Sequence, residues 1–138
     1  PLYKNKPKIF DSFCWHYDEL ERLPSNTQIL SSNEKSNIQS IVFSRSNSEI
    51  WAVQYHPEFD PKWIAGLMKQ RKSLLLNEGI YKNSKEFNKL SNYLIDIEKY
   101  SDKKNQLSIS ETLVNKKIHT LEIANWLHSL KNDNLLKN

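Results

Sequence analysis

Glycine is almost missing from this chain, with two in 138 residues against an average near 7% in globular domains. Loops that cradle phosphates and turns that present a nucleophile in α/β domains are built on glycine, so neither is expected here. Cysteine occurs once, at Cys14, which excludes an internal disulfide and fits a reducing cytoplasm, the compartment expected. No apolar run reaches the length of a membrane span, and no signal-peptide pattern opens the sequence, so no membrane partner is expected. The net charge is +4, but the lysines are spread along the chain rather than gathered into a patch, so no nucleic-acid partner is expected either. His119 and His128 have no cysteine or carboxylate at ligand spacing, which argues against a metal site, and nothing in the sequence implies a cofactor. The chain opens on Pro1 without an initiator methionine and is read as a piece of a longer protein.

What is present falls into two parts. Residues 1–59 read as strand-rich. Bulky β-favouring residues predict strands over 8–15, 27–31, 38–44 and 49–55, with Leu23-Pro24-Ser25 as a turn and Arg45-Ser46-Asn47-Ser48 as a hairpin connection. The period then changes. Asp60 suits an N-cap and Pro61 the first helical position. Trp63, Ile64, Leu67, Met68, Arg71, Leu74 and Leu75 recur at helical spacing up to Gly79 at the C′ position, as in a helix packed on a sheet. Ser84 is placed as the cap of a second helix with Phe87, Leu90, Leu94 and Ile97 on its seam. Residues 101–105 read as a loop, and Ser108 and Ser110 as caps for one or two further helices. Ile118, Ile123, Trp126, Leu127 and Leu130 make the last apolar face, and residues 131–138 are expected to fray.

The stretch that carries chemistry is Trp51-Ala52-Val53-Gln54-Tyr55-His56-Pro57-Glu58. Pro57 cannot donate to a sheet ladder, so the strand should end there. With the backbone extended through Pro57, His56 and Glu58 would project to the same side. A carboxylate beside an imidazole fixes the tautomer and supports the imidazolium, which leaves the other ring nitrogen to take a proton from a nucleophile. Taken alone, the same spacing also describes a surface pair.

Gln54-Tyr55-His56-Pro57-Glu58 resembles the C-terminal catalytic motif of the class I glutamine amidotransferases. Phe13-Cys14-Trp15-His16-Tyr17-Asp18 is similar to that family's Trp-His-Gly-Asp segment. Leu23-Pro24 followed by Gln28-Ile29-Leu30-Ser31-Ser32, and then Ile38-Gln39-Ser40-Ile41, resemble two further family segments in the same order. The resemblance covers about residues 1–60 and implies an α/β fold: the C-terminal half of a class I glutamine amidotransferase (flavodoxin-like) domain, over residues 1–79, followed by an all-helical extension over 80–138. The extension's Leu121-Glu122-Ile123-Ala124-Asn125-Trp126-Leu127 resembles the tail of a group of bacterial amidotransferase-like proteins.

The resemblance implies glutaminase chemistry. A cysteine thiolate attacks the side-chain amide of glutamine, ammonia leaves, and water resolves the glutamyl thioester. It makes His56 the general base and then the acid, and Glu58 its orienter. It also sets Trp15, His16, Tyr17 and Asp18 beside the glutamine pocket, with Tyr17 where the family has glycine. The family's Gly-x-Cys-x-Gly nucleophile turn is absent, and Cys14 aligns with a different segment. The nucleophile is therefore expected in an N-terminal half of the same domain, and this chain alone is expected to be inactive. Glutamine is the substrate so implied, and a further partner is the subunit that handles the ammonia acceptor. Two alternatives stay open: a γ-glutamyl hydrolase on the same fold, and a non-catalytic interaction module. No Ser-Gly-Gly-x-Asp-Ser loop of an ATP pyrophosphatase is present, which argues against a fused GMP synthetase.

Overall fold

A computed structural model describes residues 2–97 and 110–135, with side chains described as far as Lys131. The expected loop at 101–105, the cap at Ser108 and the last three residues lie outside the described residues. In chain order the elements are β1 (Phe13–Cys14), β2 (Gln28–Ser31), β3 (Ser40–Arg45), β4 (Ser48–Val53), β5 (Tyr55–His56), α1 (Pro61–Gln70), α2 (Lys72–Asn77), α3 (Ser84–Ile95), α4 (Glu111–Val114), α5 (Lys116–His119) and α6 (Leu121–Leu135). The fold is α/β with a helical end. It divides into two units, each discontinuous in sequence. One holds the lead-in up to Lys4, Ser12–Pro57 and the chain from Leu121; the other holds Asn5–Asp11 and Glu58–Thr120.

In the first unit every pairing is antiparallel, with β2, β3 and β4 forming one sheet and β1 and β5 a second. β3 pairs with β4 along its whole length, from Ser40 opposite Val53 to Arg45 opposite Ser48. Two residues, Ser46 and Asn47, close this hairpin, and Ser46 takes a positive φ of 55°, as short hairpin turns require. The strand expected over 49–55 is interrupted at Gln54. Its N–H still reaches Gln39 O at 2.8 Å, but beyond it the chain leaves β3, and Tyr55 and His56 pair with β1 instead. α6 belongs to this unit. It runs to Leu135, further than the frayed end expected from 131.

The strand expected over 8–15 is confined to Phe13 and Cys14. Asn5–Asp11 belong to the second unit, where they bond to helices rather than to a ladder. The Lys6 ammonium donates to His119 O at 3.4 Å and lies 4.3 Å from the Phe10 ring centroid. The Asp11 N–H donates to Thr112 Oγ1 at 2.9 Å.

α1 starts where expected, with the Asp60 carboxylate accepting from Trp63 N–H at 2.7 Å and Pro61 at the first position. The single helix expected as far as Gly79 breaks at Arg71, whose φ of −104° and ψ of 14° lie off the helical values. α2 then ends in a Schellman motif. Gly79 (φ 70°) donates to Leu76 O and Ile80 to Leu75 O, at 3.1 and 3.0 Å. α3 is capped by Asn83 rather than Ser84: its side chain accepts from Glu86 N–H at 3.0 Å, while Glu86 reaches back to Lys82 N–H at 2.9 Å. Asparagine and serine are comparable caps, so sequence alone could not choose between neighbours. α1 packs on α3, with Ile64, Ala65 and Met68 buried on one helix and Phe87, Ser91, Tyr93 and Leu94 on the other. Ala65 and Ser91 are wholly buried, small side chains of the kind that let helix axes approach closely. Ser110 precedes α4 as expected of a cap, but makes no side-chain bond to the helix backbone.

The last apolar face is a correction. Trp126, Leu127 and Leu130 are 50%, 49% and 43% exposed. The buried residue near the start of α6 is polar: Glu122, at 2% exposure. Asn125, three residues on, donates to Leu2 O at 2.7 Å and Lys4 O at 3.0 Å. This helix is held by polar bonds at its N-terminal end, which an apolar periodicity does not register.

Candidate functional site around His56

β5 carries His56, and β1 is its partner, with Phe13 opposite His56 and Cys14 opposite Tyr55. The strands run antiparallel, so the residues that follow Cys14 emerge at the end where Gln54 enters. The Asp18 backbone carbonyl there accepts two donors: His16 Nδ1–H at 2.9 Å and Gln54 Nε2–H at 3.4 Å. His16 is therefore protonated on Nδ1. Trp15, His16, Tyr17 and Asp18 thus form one bend tied to the residue that leads into Tyr55 and His56. Trp15 is half-buried and the other three are exposed. Tyr17, where a glycine was expected, is not among the residues with positive φ, so the side chain costs no backbone strain here.

His56 is half-buried, Pro57 buried and Glu58 exposed. Pro57 and Glu58 form a turn, so the two-residue alternation of an extended strand does not set the direction of the Glu58 side chain. Cys14 is exposed on β1 rather than enclosed in an apolar strand, and its thiol contacts Gln39 Oε1 at 4.0 Å. Partial desolvation pushes the thiol above its ordinary value, the opposite of what activates a nucleophile.

Behind β5 lies a feature that the sequence motifs do not announce. Tyr55 is 4% exposed. Its hydroxyl donates to Glu122 Oε1 at 2.7 Å and contacts Tyr3 Oη at 2.8 Å. Tyr3 Oη also meets Ser40 Oγ at 2.6 Å and Ser31 Oγ at 3.0 Å, and the two serines are 2.7 Å apart. Burial first, then the hydrogen bonds to Tyr3 and Glu122, push the Tyr55 phenol far above its ordinary range. Tyr55, Ser31, Ser40 and Glu122 each lie in a family-like segment, but none of those segments says that their side chains meet. Among the described residues no group of three or more histidines, cysteines or carboxylates is placed to hold a metal ion, and no helix is long and apolar enough to cross a membrane.

Comparison with known proteins bears on this site. Residues 1–71 match the sequence model of the family described as Glutamine amidotransferase class-I. The gamma-glutamyl-L-1-hydroxyisopropylamide hydrolase of a Pseudomonas species is 32% identical over 81 residues, which are 59% of this chain and 27% of that protein. The glutamine-hydrolyzing GMP synthase of Thermosipho melanesiensis is 36% identical over 58 residues, 42% of this chain and 11% of that protein. One subunit of the glutamine-hydrolyzing GMP synthase of Methanocaldococcus jannaschii is 30% identical over 57 residues, 41% of this chain and 29% of that protein. The chain therefore spans between 11% and 29% of the length of these relatives. No solved structure matches it significantly.

Proposed function

The chain belongs to the class I glutamine amidotransferase family, and from that membership we propose that it supplies His56 and Glu58 to hydrolysis of the glutamine side-chain amide. In this reading residues 1–79 are the C-terminal part of the amidotransferase domain and 80–138 its helical extension. An N-terminal half of the same domain carries the nucleophilic cysteine. His56 takes the thiol proton as the thiolate attacks the amide carbon, then returns it to the departing ammonia. It next takes a proton from the water that adds to the glutamyl thioester, and returns it to the cysteine sulfur as the C–S bond breaks and glutamate leaves. Glu58 holds the imidazole in the tautomer this requires. The bend at Trp15, His16, Tyr17 and Asp18 lines the glutamine pocket. The ammonia passes to an acceptor handled by a partner domain or subunit, and the compartment is the cytoplasm.

The observation that carries the reading is the pairing of β1 with β5. It sets the two most family-like segments, 13–18 and 54–56, side by side through Gln54 and Asp18. A second reading, hydrolysis of another γ-glutamyl amide without an acceptor, is supported by the Pseudomonas relative, whose alignment is longer than those of the synthases (81 residues against 58 and 57).

The test is ammonia release from glutamine by the full-length protein. His56→Ala is expected to lower kcat about 10³-fold, within the range of general acid–base catalysis, and Glu58→Ala to lower it less, since an orienter contributes less than the base. Equal turnover in wild type and His56→Ala would overturn the assignment. Faster cleavage of γ-glutamyl alkylamides than of glutamine would select the second reading. A wild-type protein inert toward both would leave an interaction module.

A further inference from the structure

The two phenols of the cluster behind β5 have a fixed proton order. Tyr55 has one proton and gives it to Glu122, so the contact between Tyr3 and Tyr55 must be donated by Tyr3. The Tyr3 proton is then spent, so any bond that Tyr3 makes with Ser40 or Ser31 is donated by the serine. The three contacts among Tyr3, Ser31 and Ser40 share the two serine protons, and the longest of them is Tyr3 with Ser31, at 3.0 Å. Tyr3 and Tyr55 therefore point their hydroxyls the same way, toward Glu122. Such runs strengthen one another in a low-dielectric interior, and this one ends on Glu122 Oε1, which accepts the last bond.

β5 is only two residues long, too short for ladder bonds to fix it firmly. Successive side chains on a strand point to opposite faces, and a slip of one residue exchanges them. Tyr55 and His56 are those two side chains. Holding the Tyr55 hydroxyl on one face thus sets the direction of the His56 imidazole on the other.

We propose that Glu122 is a positioning residue for His56, acting through Tyr55, so that the C-terminal helix α6 serves the catalytic strand. The link to turnover rests on the glutaminase reading above; the link to the orientation of His56 does not.

The experiment uses the full-length protein, labelled with ¹⁵N-histidine, as wild type, Glu122→Ala, Glu122→Gln and Tyr55→Phe. The His56 ring signals are identified by their loss in His56→Ala. In Glu122→Ala and Tyr55→Phe these signals are expected to move, with kcat for glutamine down by up to about 10²-fold, as misplacement of a catalytic group costs, and KM within about twofold. Glu122→Gln keeps an acceptor oxygen for the Tyr55 hydroxyl and is expected to recover most of both. His56 signals that coincide with wild type in Glu122→Ala and Tyr55→Phe overturn the inference. So does a glutamine variant as impaired as the alanine one. If Glu122→Ala does not fold, Tyr55→Phe, which removes a single oxygen, decides alone. If the wild type does not hydrolyse glutamine, the functional reading falls, and the ring signals still decide whether Glu122 orients His56.

Discussion

Tyr55 holds its proton far more tightly folded than unfolded, because burial and its bonds to Tyr3 and Glu122 disfavour the phenolate. A group whose folded pKa lies above its unfolded one contributes fully below the unfolded value, about 10 for tyrosine, and its contribution is lost as pH rises beyond it. Stability is therefore expected to be level with respect to this group up to about pH 10 and then to fall by up to ~1.4 kcal/mol per pH unit. Urea unfolding at pH 8 to 11 measures this, and Tyr55→Phe should flatten the slope. The residual slope would belong to Cys14, Tyr81 and Tyr93, whose thiol and phenols burial also raises. Legibility at this scale was uneven. Asp60 is legible as a cap from its place before a proline. The partners of Tyr55 lie 52 and 67 positions away, and no local pattern encodes a bond over that distance. Nor did spacing reveal that Tyr17 would sit at an unstrained φ.

Among the elements, helix starts were the most legible and strand lengths the least. Caps are local chemistry: Asp60 on Trp63 N–H, and Gly79 in its Schellman turn, follow from residues a few positions apart. Asp60→Ala is expected to destabilise α1 by ~1 kcal/mol, seen as a lower urea midpoint with an unchanged slope. At the β3–β4 turn Ser46 sits at φ 55°, which costs a side chain what glycine does not incur. Ser46→Gly is expected to stabilise the protein by up to ~1 kcal/mol, read as a higher midpoint; a lower one would mean that the hairpin tolerates serine without strain. The strand at 49–55 read as continuous because its alternation continues through Gln54. The break is tertiary, imposed when β5 turns to pair with β1.

At the scale of the whole molecule, the order of family-like segments from Phe13 to Glu58 was readable, and with it the α/β class. The return of α6 to the strand-bearing unit was not. Its exposed Trp126 and Leu127 resemble a packing face, while its attachment runs through Glu122 and Asn125 to Tyr55, Leu2 and Lys4. Ending the full-length protein at residue 120 removes those bonds and leaves Tyr55 without its acceptor. The truncated protein is expected to melt at a lower temperature and to lose turnover more than substrate affinity.

The central claim is that His56 activates a sulfur that residues 1–138 do not supply. A chloromethyl ketone analogue of glutamine, offered to the full-length protein and followed by peptide mass spectrometry, tests it most directly. The account predicts one covalent adduct, on a cysteine upstream of Pro1, formed at least ~100-fold more slowly in His56→Ala. An adduct on Cys14, or equal rates in the two proteins, would contradict it.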